Sequence, residues 1–253
     1  MSAGAANKGV ALITGGSRGI GRACALGLAE DGFDVVVNYV GNKGAADEVV
    51  AAITAKGRKA VAVQGDVSVE ADVAAIFAAA DKLGTLKALV NNAGVVDIAQ
   101  PVVEMSTARF RRMFDINVMG SFFCAREAIK RMSTRLGGTG GAIVNMSSIA
   151  PRLGAPGQYV DYAAAKGAID AFTLGLGREV ANEGIRVNGV QPGLIETDIH
   201  ASGGIPDRIE QLKSSIPIKR GGTADEIAEA VRWLVSDKAS YAVGSLITVS
   251  GGR

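Results

Sequence analysis

The chain has 253 residues, of which 48% are hydrophobic and 21% charged, with 27 basic side chains against 25 acidic ones. This content excludes a disordered chain, and without a Lys/Arg run there is no stripe for tracking nucleic-acid phosphates. Two cysteines, Cys24 and Cys124, and one histidine, His200, exclude a disulfide framework and a zinc site, so no metal is expected.

The first run rich in β-branched residues spans 9–14 and leads through TGGSRGIG (14–21) into a helical period over 19–31. Further strands are predicted over 34–39, 59–64, 87–91, 141–146, 185–190 and 245–250. Helices are predicted over 43–56, 69–83, 106–135, 158–183 and 223–236. The strands are almost continuously apolar, as parallel strands covered on both faces must be, and parallel neighbours need helical crossovers. The pattern predicts an α/β fold: a single doubly wound Rossmann domain over 1–253, with a seven-stranded parallel sheet and helices on both faces. The stretch GGTGG at 137–141 reads as a turn, and the segment from 194 to 220, with Pro206, Pro217 and Gly203-Gly204, reads as a substrate lid. No stretch of eighteen apolar residues and no leader pattern are present, which predicts a cytoplasmic protein without a membrane partner.

The glycine cluster lies where a strand enters a helix. A helix N-terminus offers free N–H groups and the positive end of its dipole, and Gly15, Gly19 and Gly21 would let a diphosphate approach that backbone. The spacing is GxxxGxG, different from the commoner GxGxxG. The second strand ends in Asn38-Tyr39-Val40, without the carboxylate that would bind a free ribose hydroxyl, and Arg18 could meet a 2′-phosphate. NADP(H) is therefore expected over NAD(H); Asn42 and Lys43 could also reach the phosphate. Tyr162 and Lys166 stand four apart in a helical stretch and share one face, where an ammonium would stabilise a phenolate and lower the phenol pKa.

TGGSRGIG at 14–21, NNAG at 91–94, Asn117 within DINVMGSFF, Ser147-Ser148, Tyr162-x-x-x-Lys166 and Pro192-Gly193 occur in this order. The chain thereby resembles the short-chain dehydrogenase/reductase family over essentially its whole length, with the flavour of the bacterial branch of 3-oxoacyl carrier-protein reductases and glucose-dehydrogenase-like oxidoreductases. The resemblance implies hydride transfer between NADP(H) and a carbonyl or secondary alcohol. Tyr162 would be the acid/base, Lys166 its assistant, Ser148 the carbonyl-orienting donor and Asn117 the helix-kinking residue that holds a water linked to the lysine. The serine precedes Tyr162 by fourteen residues where the family interval is thirteen, so a one-residue insertion is inferred around APGQ and Ser147 remains an alternative.

The resemblance also implies cofactor contacts from Gly15, Ser17, Arg18, Gly19, Ile20 and Gly21, and from Asn38, Tyr39, Asp66, Val67, Asn91, Ala93 and Gly94. Tyr162, Lys166, Pro192, Gly193, Ile195 and Thr197 complete the set. Asp66 would meet the adenine amine, or alternatively cap the helix or start the turn after it; Asn92 would brace the sheet. Tyr159 is assigned to packing, and Glu196, Asp198 and His200 to the solvated surface of the lid. No charge cluster in 194–220 calls for a carboxylate, so small ketones, sugars and 3-oxoacyl thioesters all stay open. Surplus apolar residues on the helices at 106–135 and 158–183 point to an oligomer interface, and the resemblance implies a homotetramer. The competing readings are an NADP-sensing protein without chemistry, and a methyltransferase, which would have no use for Tyr162 with Lys166.

Overall fold

The computed structural model describes residues 6–197, 203–205 and 207–253. In the first half, β1 (Val10–Ile13) leads to α1 (Gly19–Glu30), β2 (Asp34–Tyr39) to α2 (Lys43–Ala55), and β3 (Ala60–Gln64) to α3 (Glu70–Leu83). Next come β4 (Leu86–Asn91), α4 (Thr107–Phe114), α5 (Gly120–Met132), β5 (Gly141–Met146), the short α6 (Ala150–Leu153) and α7 (Val160–Val180). The chain continues through β6 (Ile185–Pro192), α8 (Arg208–Leu212), α9 (Ala224–Val235) and β7 (Leu246–Val249). Among the described residues the strands form a seven-stranded, wholly parallel sheet in the order β3-β2-β1-β4-β5-β6-β7. This is the doubly wound Rossmann-type arrangement that the apolar runs predict.

Every side chain of β1 is buried because each face of the sheet carries its own helices. Ala11 and Ile13 pack with Leu28 of α1, Ile53 of α2 and Val231 of α9. Val10 and Leu12 turn the other way, to Phe77 of α3, Cys124 of α5 and Val180 of α7. Each large side chain buried in these layers contributes about 1.5–3 kcal/mol. Both cysteines serve as small core hydrophobes, and burial pushes each thiol up to about 12. Among the described residues no helix is long and apolar enough to cross a membrane.

One predicted element differs. The helix expected over 106–135 is broken into α4 and α5 by a π-helical turn at Asp115–Met119, centred on Asn117. Hydrophobic periodicity does not register the extra residue that a π-turn inserts. Its cause is a tertiary hydrogen-bond set made by the Asn117 side chain. The strand order reverses between β1 and β4, which opens a crevice at the carboxyl ends of those strands.

Candidate active site

The turn after β1 builds one end of the crevice. Gly15 has φ +61° and Gly19 φ +51°, in the left-handed region that favours glycine. A Cβ on Gly21 would lie 2.3 Å from the Gly15 carbonyl oxygen and 2.6 Å from Asn92 Nδ2. Thr14 Oγ1 accepts from the N–H groups of Asn92 and Ala93, at 3.0 Å each, and fixes the loop to the end of β4. No side chain caps the start of α1, and its first turn holds no acidic residue. The free N–H groups of that turn and the space kept by the glycines fit a diphosphate.

This loop opens on a cleft of about 1020 Å³. Of the residues expected at a cofactor, Gly15, Ser17, Arg18, Gly19, Ile20 and Gly21 line it beside β1, and Tyr39, Asp66 and Val67 beyond β2 and β3. Ala93 and Gly94 line it after β4, and Pro192, Gly193, Ile195 and Thr197 after β6. Arg18 is exposed there, and no carboxylate pairs with it among the described residues.

Several placements correct the sequence reading. Asn91 is buried within β4, where Nδ2 donates to Asn145 Oδ1 at 2.9 Å and to the Ser121 carbonyl at 3.3 Å. Its side chain braces β4 against β5; Asn92, expected to brace the sheet, does so too, donating to the Thr14 and Gly15 carbonyls at the end of β1 while it lines the cleft. Asn38 touches the cleft, but its amide is committed to protein. Oδ1 accepts from Gly15 N at 3.2 Å and Nδ2 donates to the Val63 and Gly65 carbonyls, so it supports the loop from beneath. Lys43 lies off the cleft, paired with Asp47 at 2.6 Å, and Asn42 Oδ1 caps α2. Asp66 Oδ1 accepts from Ser68 N and Oγ, at 2.9 and 2.7 Å, which is the turn-forming role.

At the other end of the cleft, Tyr162 and Lys166 project from α7. Lys166 is buried; its Nζ donates to the Met146 carbonyl at 2.7 Å and lies 5.6 Å from the centre of the Tyr162 ring. The two serines after β5 diverge. Ser147 Oγ donates to Asp170 Oδ1 at 2.6 Å, whereas Ser148 lines the cleft near enough to lower the Tyr162 phenol, its Oγ accepting from Ala150 N at 3.0 Å. Asn117 Oδ1 accepts from Val95 N at 3.1 Å, and Nδ2 donates to the carbonyls of Val95 and Met113 at 3.0 Å. A Cβ on Gly94 would lie 2.8 Å from Asn117 Oδ1 and 3.5 Å from Lys166 Nζ, so this glycine keeps open the space between them. Arg109 of α4 grips Asp161 of α7 through two hydrogen bonds of 2.8 and 3.1 Å, which fixes the helix leading to Asn117 against the one bearing Tyr162.

The electrostatics differ from the expected pairing. Burial pushes the Tyr162 phenol up to about 12, against a smaller lowering by Ser148. Burial likewise brings Lys166 down to about 8, against a smaller raising effect of Asp170. Burial and Ser148 set the phenol, and the Lys166 hydrogen bond goes to the neutral Met146 carbonyl.

Of the lid, Leu194, Ile195 and Thr197 line the cleft, and Ile195 bridges to Gly222. Glu196 is exposed; Asp198 and His200 lie outside the described residues. Tyr159 does more than pack: its hydroxyl donates to the Gly203 carbonyl at 3.2 Å, and the Arg208 guanidinium lies over its ring at 5.0 Å. Arg112, Arg208 and Arg253 also line the cleft, and sequence reasoning missed them because no motif marks them.

These features define a Rossmann-type dinucleotide site with a tyrosine, a lysine and a serine at its substrate end. The family model described as enoyl-(acyl carrier protein) reductase matches residues 15–253. The chain is 56% identical to the "Uncharacterized oxidoreductase YgfF" of Escherichia coli, over 96% of this chain and 99% of that one. It is 40% identical to the 3-oxoacyl-[acyl-carrier-protein] reductase FabG of Staphylococcus aureus, over 96% of each. Among solved structures, a blue fluorescent protein from a metagenomic library in complex with NADPH superposes with a TM-score of 0.89 at 34% identity, covering 97% of this chain and 98% of that one. A Serratia marcescens short-chain dehydrogenase/reductase mutant gives 0.89 at 32% identity with the same coverage. The chain belongs to the short-chain dehydrogenase/reductase family. It is an oxidoreductase of a family that uses a nicotinamide cofactor.

Proposed function

We propose that this protein reduces a carbonyl or oxidises a secondary alcohol with NADP(H), using Tyr162 as acid/base, Lys166 as its partner, Ser148 as the orienting donor and Asn117 as the residue that organises the proton route. The observation that carries the proposal is that Tyr162, Ser148 and Lys166 share the wall of the cleft that begins at the glycine loop, with Lys166 Nζ 5.6 Å from the centre of the Tyr162 ring. When bound, the cofactor supplies or takes up the hydride. Ser148 directs the substrate oxygen toward Tyr162 Oη, which donates its proton as negative charge develops on that oxygen. A phenol held up to about 12 is protonated at neutral pH, which is the form that carbonyl reduction requires. Lys166 returns positive charge beside the phenolate left behind, and Asn117, held to Val95, keeps a polar route open past Gly94.

Arg18 supports NADP over NAD, as do the absence of a carboxylate after Tyr39 and the NADPH bound to a structural relative. The cofactor contacts proposed are those of the cleft wall, with Asn38 and Asn91 acting from behind it. Residues 1–253 would act as one dinucleotide-binding and catalytic unit, with 194–220 as its lid, in the cytoplasm and as a homotetramer. Exposed Phe122 of α5, stacked on Phe172 of α7 at 3.7 Å, is the apolar surface that supports assembly. The test is NADPH oxidation against a carbonyl panel, with Tyr162→Phe and light scattering alongside. The expected result is turnover that falls about 10²–10⁴-fold in the variant while NADPH still binds. Full activity in Tyr162→Phe refutes the chemistry, and a monomer refutes the assembly.

A further inference from the structure

Two arginines, Arg208 and Arg253, line the cleft that also holds Tyr162. Arg208 opens α8, where its Nη2 donates to Gln158 Oε1 at 2.8 Å and its plane lies over the Tyr159 ring. A neutral amide and an aromatic face fix the direction of this cation without neutralising it. Arg253 arrives from the opposite side, beyond β7. Its main-chain oxygen accepts from Ser250 Oγ at 2.8 Å, which holds the residue where it lines the same cleft.

Among the described residues no carboxylate pairs with either group, whereas the third arginine of this wall, Arg112, has Asp97 at 3.6 Å. Among the described residues the carboxylate that lines the cleft is Asp66, which stands after β3 at the far edge of the sheet from α7. The two arginines repel each other: Arg253 is held below its ordinary value, first by burial and then by Arg208. A fold that brings two unneutralised cations together in a concave, partly dehydrated site leaves a repulsion that a bound anion relieves.

We propose that the carbonyl substrate carries a compact oxyanion, a carboxylate or a phosphate ester, that Arg208 and Arg253 hold. This rests on the reading of Tyr162 as the proton donor. Tyr159, beneath Arg208, precedes Tyr162 by three residues, about one helical turn or ~5 Å. The oxyanion would therefore sit a few bonds from the carbonyl, as in a short oxo acid or a phosphorylated keto sugar. A long thioester presents a neutral chain at this point.

The test compares charged and neutral partners: 3-oxobutanoate with its methyl ester for the carboxylate, and dihydroxyacetone phosphate with dihydroxyacetone for the phosphate. The charged member of at least one pair should show the higher kcat/KM, and the pair that does so identifies the anion. Arg208→Gln and Arg253→Gln should each lower that charged-to-neutral ratio about tenfold or more, as expected for losing a hydrogen bond to a charged group. Equal kcat/KM within both pairs, or a ratio unmoved by either substitution, overturns the proposal. If none of the four compounds is reduced, calorimetric titration of the protein with 3-hydroxybutanoate and inorganic phosphate decides. Binding weakened tenfold in the double variant, with an unchanged melting temperature, upholds the oxyanion site while the chemistry assigned to Tyr162 fails. Binding equal in both proteins, or none in either, removes the site.

Discussion

Replacing Lys166 by methionine should stabilise the protein at neutral pH while abolishing its chemistry. Burial lowers this lysine from 10.5 to about 8, and at 1.36 kcal/mol per tenfold change in proton affinity that amounts to about 3 kcal/mol. The sign follows from proton uptake. Below pH 8 the folded protein carries a buried ammonium that the unfolded chain would solvate, so the whole burden is present. Between pH 8 and 10.5 the unfolded chain binds a proton that the folded one does not, and stability rises with pH. Methionine removes this burden and also the hydrogen bond to the Met146 carbonyl, worth about 1 kcal/mol. The net gain is about 2 kcal/mol at pH 7, shrinking to about zero or below by pH 10. Urea unfolding of both proteins at pH 7 and pH 10, at equal protein concentration, measures the difference. A stability difference that is the same at both pH values, or a variant weaker by 2 kcal/mol at pH 7, would refute the reasoning.

Arg18→Gln should weaken NADPH binding about 10–100-fold and leave NADH binding within twofold, read from the fluorescence of bound nicotinamide. Tyr159→Phe keeps the ring beneath Arg208 but loses the bond to Gly203, worth about 1 kcal/mol, so KM should rise severalfold with kcat nearly unchanged in steady-state assays. Gly94→Ala places a Cβ 2.8 Å from Asn117 Oδ1 and should lower kcat about 10²-fold with the circular dichroism spectrum intact.

Strand and helix placement was legible because burial on both sheet faces leaves continuous apolar runs, as β1 and β2 show. The π-turn left no trace in the periodicity, and only the resemblance implied a kink at Asn117; it answers to Asn117 meeting Val95, twenty-two residues earlier in sequence, a contact that leaves no local period. Asn92 reads as a brace and is one, tying β4 to the turn after β1; that the Asn91 side chain braces as well, toward β5, was not legible because adjacent residues at a strand end differ only in the side they face. The divergence of Ser147 and Ser148 follows the alternation along β5, but deciding which serine meets Tyr162 needed the position of Asp170. Of the phosphate-reaching candidates, Lys43 was lost to a carboxylate one helical turn away, a pairing the spacing already allowed.

Charge is where sequence and structure part furthest. A formal net charge of +2 gives no hint of an anionic ligand, and the lid contains no basic cluster. Folding redistributes that balance. Arg58, Arg109, Arg131, Arg220 and Arg232 each meet a carboxylate, while Arg18, Arg208 and Arg253 meet none among the described residues and all face the cleft. Lys166 joins them, bonded to a carbonyl in place of an acid. A nearly neutral chain thus places four cations without a carboxylate partner among the described residues, Arg18, Lys166, Arg208 and Arg253, on one concave surface, where low-dielectric walls strengthen the field on an approaching anion. In the proposed chemistry, the same desolvation that makes Lys166 a burden to the fold would make its charge effective beside Tyr162, so the stability lost at this position and the chemistry proposed there share one physical origin.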